Sequence, residues 1–341
     1  MKSLVWTKPE WMEIQEGAEP GITDSEVLVK VDAVGICGSE LEGYLGHNSL
    51  RIPPLVMGHE FSGTIASVGS HVKGLQIGRK VVVNPLSSCG SCNYCRKGLV
   101  QLCKERSIVG IHRAGAFADY VNVPAASAHV IPETLSPYRA SLTEPLACSL
   151  RAARRAMAEH PFANVVVFGA GTIGLLSLLV ARILGASRVI VVDMNEARLK
   201  APERLGAHRT ISPAQPGYIQ KIKDSMGPSG IDVIIDAVGY QPTRQAAIEL
   251  INPGGTVMNV GLGIDQTQLP INVCIRNEIS ILHSFCYQAQ DFYDALQLLI
   301  NGQIDETGWS EVRSLQEGNQ AFQDLVNGNV HNAKIFLTAG S

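Results

Sequence analysis

The sequence predicts an α/β chain in two parts, a β-rich first part followed by a doubly wound parallel sheet. Three observations carry this. At 341 residues with 45% hydrophobic content, the chain exceeds the roughly 250–300 residues that one hydrophobic core fills. Short β-prone runs broken by glycine and proline occupy the chain up to Pro145. Beyond it, short apolar runs alternate with helical ones, the pattern of a parallel sheet covered on both faces.

The elements follow in order. Residues 27–34 put Val27, Val29 and Val31 on one face, and 61–68, 80–83 and 118–123 are further short β-prone runs. Pro53-Pro54 and Gly69-Ser70 punctuate them. Residues 146–157, rich in alanine, leucine and arginine, predict a helix. Strands are then expected at 164–168, 189–193, 232–237, 256–260 and 279–283, with helices at 172–184 and 196–205. Two late helices, 290–301 and 316–327, precede a last strand at 333–338.

Composition excludes several functions. A net charge of −3 offers no basic field to nucleic acid or an anionic membrane. No run reaches the roughly 18 apolar residues of a membrane span, and the opening MKSLVWTKPE has no apolar signal core. A cytoplasmic chain is expected, where a cysteine cluster binds metal more often than it forms disulfides.

Gly169-Ala170-Gly171-Thr172-Ile173-Gly174 lies between an expected strand and helix, and Asp193 ends the next strand 19 residues past Gly174. The glycines allow a tight turn and close approach of backbone to a pyrophosphate, while the helix N-terminus supplies amide donors. Asp193 suits the adenosine ribose diol and repels a 2′-phosphate, so NAD is expected over NADP. Cys89, Cys92, Cys95 and Cys103 place four soft ligands within fifteen residues. Four thiolates close a tetrahedral shell, which predicts a structural zinc site; an iron–sulfur cluster is the lesser alternative.

A second, open metal site draws on Cys37 in Gly-Ile-Cys-Gly-Ser-Glu, on His59 and Glu60 after Gly58, and on Glu144 before Pro145. Catalytic zinc takes about three protein ligands and keeps one exchangeable position. Cys37, His59 and Glu144 fit that need, with Glu60 beside the ion.

Gly58-His59-Glu60-x2-Gly63-x5-Gly69-x2-Val72 resembles the signature of the zinc-containing medium-chain dehydrogenase/reductases. The Gly-Ile-Cys-Gly-Ser stretch, the cysteine lobe, Glu144-Pro145 and the glycine turn follow in that family's order. The resemblance implies a GroES-like catalytic domain over 1–146, completed by 288–341, and a Rossmann NAD-binding domain over 147–287. Glu144, where alcohol dehydrogenases have cysteine, resembles the polyol branch: sorbitol, xylitol, threonine and galactitol 1-phosphate dehydrogenases. The implied reaction moves hydride between a secondary alcohol and NAD. One zinc would be catalytic and one structural, and Ser39 would take the alcohol's proton. Ile173 and Arg198 would contact the cofactor, Val260, Gly261 and Leu262 would lie beside the nicotinamide, and Ser284 and Phe285 are further cofactor contacts. In relatives the strand at 279–283 pairs with its symmetry mate, which implies a homodimer or homotetramer.

The chain also departs from the family. Glu40 stands where many members have aspartate, and Glu42 where many have a histidine that passes the proton on. Specificity is expected from residues 42–56, 112–116 and 284–288; His47 reads first as a solvated loop residue, with a substrate contact as the alternative. Arg51 and Arg113 are the candidate partners of a substrate phosphate. An amino alcohol is the alternative substrate. A zinc-ribbon binding module, or a quinone reductase without catalytic zinc, would be a different class of protein.

Overall fold

The computed structural model describes residues 1–47 and 50–339. Residues 48 and 49, inside the 42–56 stretch, lie outside the described residues. The chain divides into two compact units, Met1–Glu144 with Gln288–Ser341, and Pro145–Tyr287.

The first unit is built on a seven-stranded sheet in the order Ala128–Val130, Lys80–Val83, Glu60–Val68, Glu26–Gly35, Lys334–Thr338, Ser310–Ser314, with Tyr120–Pro124 also paired to Glu26–Gly35. Val27, Val29 and Val31 enter its core beside Phe61, Ile65, Val81 and Val123. The alternation is imperfect because the ladder to Glu60–Val68 slips after Leu28 and again after Val31. Each slip re-aims the following side chains. The last strand, Lys334–Thr338, returns antiparallel to Glu26–Gly35, with Phe336 opposite Gly35.

This register builds the site. Gly35 pairs with Glu60 across the ladder. Cys37 follows Gly35 by two residues and His59 immediately precedes Glu60, so both side chains emerge at one end of the same strand pair. Cys37 caps the helix Gly38–Tyr44, and the Glu40 side chain reaches back to its amide at 3.0 Å.

The second unit holds six parallel strands in the order Arg209–Ile211, Arg188–Val192, Asn164–Phe168, Val233–Asp236, Thr256–Asn259, Ser280–His283. Val166, Phe168, Ile190, Val192, Ile234 and Val257 form its core. This is the doubly wound order, with its reversal beside Asn164–Phe168. The helix expected at 196–205 is realised only as Lys200–Arg204. Pro202 lacks an amide hydrogen and is tolerated only in a first turn, so the helix starts just before it. The strand Arg209–Ile211 and the helices Tyr218–Met226 and Gln241–Leu250 were not expected. No helix among the described residues is long and apolar enough to cross a membrane.

Candidate active site

Cys37, His59 and Glu60 each offer a ligand atom, and the three atoms lie within 4.8 Å of one another. Glu144 is not one of this group; it is buried in the first turn of the helix Thr143–Met157. Ser39 Oγ donates to Cys37 Sγ at 3.4 Å.

Glu40 organises the group and was missed as a functional residue. It is fully buried. Its carboxylate accepts from the amides of Cys37 at 3.0 Å and Gly58 at 2.8 Å, and from His59 Nδ1 at 2.8 Å. Burial pushes the Glu40 carboxyl up, but His59, Arg51 and the Cys37 amide outweigh it and hold the group below the usual carboxylate range. An ionised Glu40 fixes the hydrogen on Nδ1 and leaves Nε2 to face an ion. Burial pulls the His59 pKa down, but the negative charges of Glu40 and Cys37 raise it above the usual imidazole value. The same two anions would favour a divalent cation in place of that proton. The soft thiolate, the oriented imidazole and the carboxylate form a donor set that fits zinc.

Lys334 was also missed. It is buried, and its Nζ donates to the Ile36 carbonyl at 3.0 Å and to the Glu60 carboxylate. Burial lowers its pKa to about 8 against the pull of Cys37 and Glu40. The one sequence signal for Glu40 is its place three residues after a strand-end cap. For Lys334 it is a lysine heading an apolar run. Neither signal names a partner.

Arg51 and Arg113 are not available to a substrate phosphate. Arg51 is 3% exposed and bonds Ser39 through its carbonyl at 3.0 Å and its hydroxyl at 3.2 Å. Arg113 is held by Glu26 at 2.7 Å and by the Asn122 carbonyl at 2.9 Å. Ser39 of the helix Gly38–Tyr44 engages Arg51, and Glu26 and Asn122 of the sheet engage Arg113, which spacing alone does not reveal. Tyr44 is buried too, with its hydroxyl donating to the Glu10 carbonyl at 2.6 Å. His47 is exposed and faces Glu42 at 3.4 Å.

In the cysteine lobe the sulfurs gather. Cys92 and Cys103 lie 3.5 Å from Cys95 and Cys89 respectively, and Cys89 lies 3.9 Å from Cys95. Sulfurs at 2.3 Å from one zinc ion stand about 3.8 Å apart in a tetrahedron. The four thus already have the spacing of a closed zinc shell. The Ser91 and Cys92 amides hold the Cys89 thiol below its usual range.

The glycine turn sits at the C-terminal end of Asn164–Phe168. Gly171 caps the helix Thr172–Ile183, and Thr172 and Ile173 form its first turn. Gly169 has φ +100°, and a Cβ on Gly174 would stand 1.8 Å from the Gly169 carbonyl oxygen, so neither position accepts a side chain. Asp193 accepts from the Ala170 amide at 2.6 Å and the Asn195 amide at 2.7 Å, which ties it to the turn with acceptor capacity left over. The Arg198 amide donates to Asn195 Oδ1 at 3.3 Å in the following turn. The amides of Val260 and Gly261 donate to the Asp236 carbonyl at 2.9 Å, and Leu262 beyond them is exposed. Ser284 donates its amide to the Asn259 carbonyl at 3.0 Å, and Phe285 follows it, exposed. All of these lie at the C-terminal ends of the parallel strands, where ligands bind such sheets.

A dinucleotide fold and a thiolate–imidazole–carboxylate group in one chain define a metal-assisted dehydrogenase. Residues 23–133 match the alcohol dehydrogenase GroES-like domain, and residues 172–301 match the zinc-binding dehydrogenase family. The chain is 34% identical to a probable D-xylulose reductase A of Aspergillus clavatus, over 88% of this chain and 86% of that protein. It is 33% identical to sorbitol dehydrogenase of Bacillus subtilis, over 89% and 87%. Among solved structures, galactitol-1-phosphate dehydrogenase of Escherichia coli superposes with a TM-score of 0.90 at 27% identity, covering 99% of this chain and 100% of that one. A zinc-binding dehydrogenase of Sinorhizobium meliloti bound to NADP does so with 0.90 at 30%, covering 99% and 98%. The chain belongs to the zinc-containing medium-chain dehydrogenase/reductase family, among its polyol dehydrogenases. It is a zinc-dependent oxidoreductase that exchanges hydride between an alcohol and a nicotinamide cofactor.

Proposed function

We propose that the chain oxidises a secondary hydroxyl of an uncharged polyol with NAD, using a catalytic zinc held by Cys37, His59 and Glu144 with Glu60 beside it, and a structural zinc in the cysteine lobe. Residues 1–146 with 288–341 are the catalytic domain and 147–287 the NAD domain. The observation that carries the reading is the convergence of Cys37, His59 and Glu60 beside the Ser39 hydroxyl. The relatives named for xylulose and sorbitol chemistry support a polyol. The commitment of Arg51 and Arg113 elsewhere favours a free polyol over its phosphate.

Bound zinc would supply Lewis-acid polarisation of the substrate oxygen. The chain's own groups do the rest. Ser39 Oγ accepts the proton of the substrate hydroxyl and hands its own outward. Glu40 keeps His59 in one tautomer, and Lys334 balances the Glu60 carboxylate. The glycine turn, with Thr172 and Ile173, holds the pyrophosphate. Val260, Gly261, Leu262, Ser284 and Phe285 line the nicotinamide end, and Arg198 the adenosine end. The edge strand Ser280–His283 and the exposed Ile271 and Ile275 beside it support a homodimer or a tetramer of dimers. Eight cysteines free of disulfides support a reducing, cytoplasmic setting.

The test is NAD+ reduction across free polyols, their phosphates and amino alcohols. Free polyols should give the highest kcat/KM. A clear preference for a phosphate or an amino alcohol would overturn the substrate assignment.

Cofactor choice gives a second expectation. Asp193 repels a 2′-phosphate by about 3 kcal/mol if the charges approach within ~5 Å at partial burial. Asp193→Ser should therefore narrow the NAD preference on the order of a hundredfold in the ratio of kcat/KM values. An unchanged ratio would remove Asp193 from cofactor selection.

A further inference from the structure

Arg51 is a cation set inside the first unit. Its neighbours Leu50 and Ile52 are exposed, while Arg51 itself turns inward. The fold makes room for it. A Cβ on Gly43 would stand 2.6 Å from Arg51 Cδ, so the helix Gly38–Tyr44 carries a glycine where the arginine stem passes. Glycine inside a helix costs about 1 kcal/mol relative to alanine. A buried guanidinium must also be paired, and the charge of Arg51 acts on the buried Glu40 carboxylate. A residue admitted at two such costs is placed for a reason.

Its contacts show which one. Nη1 donates to the Ser39 carbonyl at 3.0 Å and Nη2 to Ser39 Oγ at 3.2 Å. One planar fork therefore grips both the backbone and the side chain of a single serine. A serine hydroxyl has one hydrogen to donate and two lone pairs to accept with. Arg51 occupies one lone pair, and the hydrogen points at Cys37 Sγ. One lone pair is left.

We infer that Arg51 is a positioning residue for the dehydrogenation, holding the Ser39 hydroxyl so that its single remaining lone pair receives the proton of the substrate alcohol. The inference rests on the proposed reading of the site and deepens it. The balance is simple. The substrate O–H bond breaks and its proton joins Ser39 Oγ, while the proton already on Oγ turns from Cys37 Sγ to solvent, which the partly exposed Ser39 meets, and leaves to water. The carbinol C–H bond gives its hydride to NAD+, and the carbon–oxygen double bond forms. Arg51 takes no part in the proton transfer itself. Its fixed charge beside Oγ opposes a second proton resting there and so favours onward transfer.

The experiment compares Arg51→Met, Arg51→Lys, Ser39→Ala and the double variant Arg51→Met/Ser39→Ala. Arg51→Met should lower kcat by about 10- to 100-fold, with KM and zinc content close to the parent and a larger solvent deuterium isotope effect on kcat. Arg51→Lys keeps a cation but not the fork and should recover part of the loss. In the Ser39→Ala background, Arg51→Met should cost almost nothing more, because its partner is already gone. Multiplicative losses in the double variant would overturn the inference, as would full turnover in both Arg51 variants. If Arg51→Met does not fold, Arg51→Lys with and without Ser39→Ala gives the same comparison.

A second readout needs no substrate. With cobalt in the open site, the thiolate-to-metal absorption of Cys37 senses the hydrogen bond from Ser39. Arg51→Met should shift that band as Ser39→Ala does, and an unshifted band would overturn the inference. Failure of the parent protein to oxidise any polyol would count against the substrate reading and leave this spectroscopic test intact.

Discussion

A His59→Ala variant is expected to lose alcohol oxidation by at least about a thousandfold, since Lewis-acid polarisation is worth several kcal/mol and each ~1.4 kcal/mol is tenfold. His59 is buried, and its Nδ1 is already committed to Glu40. Its loss removes the only oriented imidazole of the group and leaves the Glu40 carboxylate one donor short. The open-site zinc should be lost while the zinc of the four cysteines is retained, as metal analysis would read. The two carboxylates are separable in the same assay. Glu144→Ala should release open-site zinc ahead of the cysteine-bound zinc. Glu60→Ala should act first on stability, because Lys334 would remain buried without its anion, at a cost of about 3–5 kcal/mol. Retention of open-site zinc in Glu144→Ala would transfer the third-ligand role to Glu60. Full activity in His59→Ala would end the metal reading.

Replacing Cys103 with serine should unfold the cysteine lobe while leaving the seven-stranded sheet intact. The lobe has almost no core of its own. Its ordered pieces are the four-residue helix Asn93–Arg96, the 3-10 turn Val100–Leu102 and the two-residue strands Leu86–Ser87 and Ser107–Ile108, and Tyr94 and Leu102 are exposed. Such a segment cannot offset its chain entropy by apolar burial, so the metal supplies the missing stability, about 10 kcal/mol or more in zinc-finger peptides of this kind. Cys103 is the buried member of the set, and its sulfur meets Cys89 at 3.5 Å. Limited proteolysis should cut residues 88–104 in Cys103→Ser, and in the parent after strong chelation. An uncut lobe after complete zinc removal would show that packing alone holds it.

The legible parts of this chain share one property: their meaning is local. The four cysteines fall within fifteen residues, and the glycine turn is contiguous. Asp193 follows at a separation fixed by one helix and one strand. The apolar strands 164–168 and 189–193 read correctly to within a residue because a strand buried on both faces needs no outside partner to be recognised. The strand Arg209–Ile211 did not read, since three residues carry no period. The helix is shorter than the 196–205 expected from its helix-forming residues, because Pro202 confines it to Lys200–Arg204.

By itself the sequence determined the family and marked the cysteine lobe and the nucleotide loop, since each is read from short patterns of chemically distinctive side chains. Tertiary structure alone decided who stands beside them. Lys334 meets Glu60 across 274 residues because the last strand closes onto Glu26–Gly35, and Arg51 reaches Ser39 because Gly43 opens a path under a helix. Buried charges must find partners wherever the chain brings them. That pairing is a property of strand register and packing, which residue spacing along the chain does not encode.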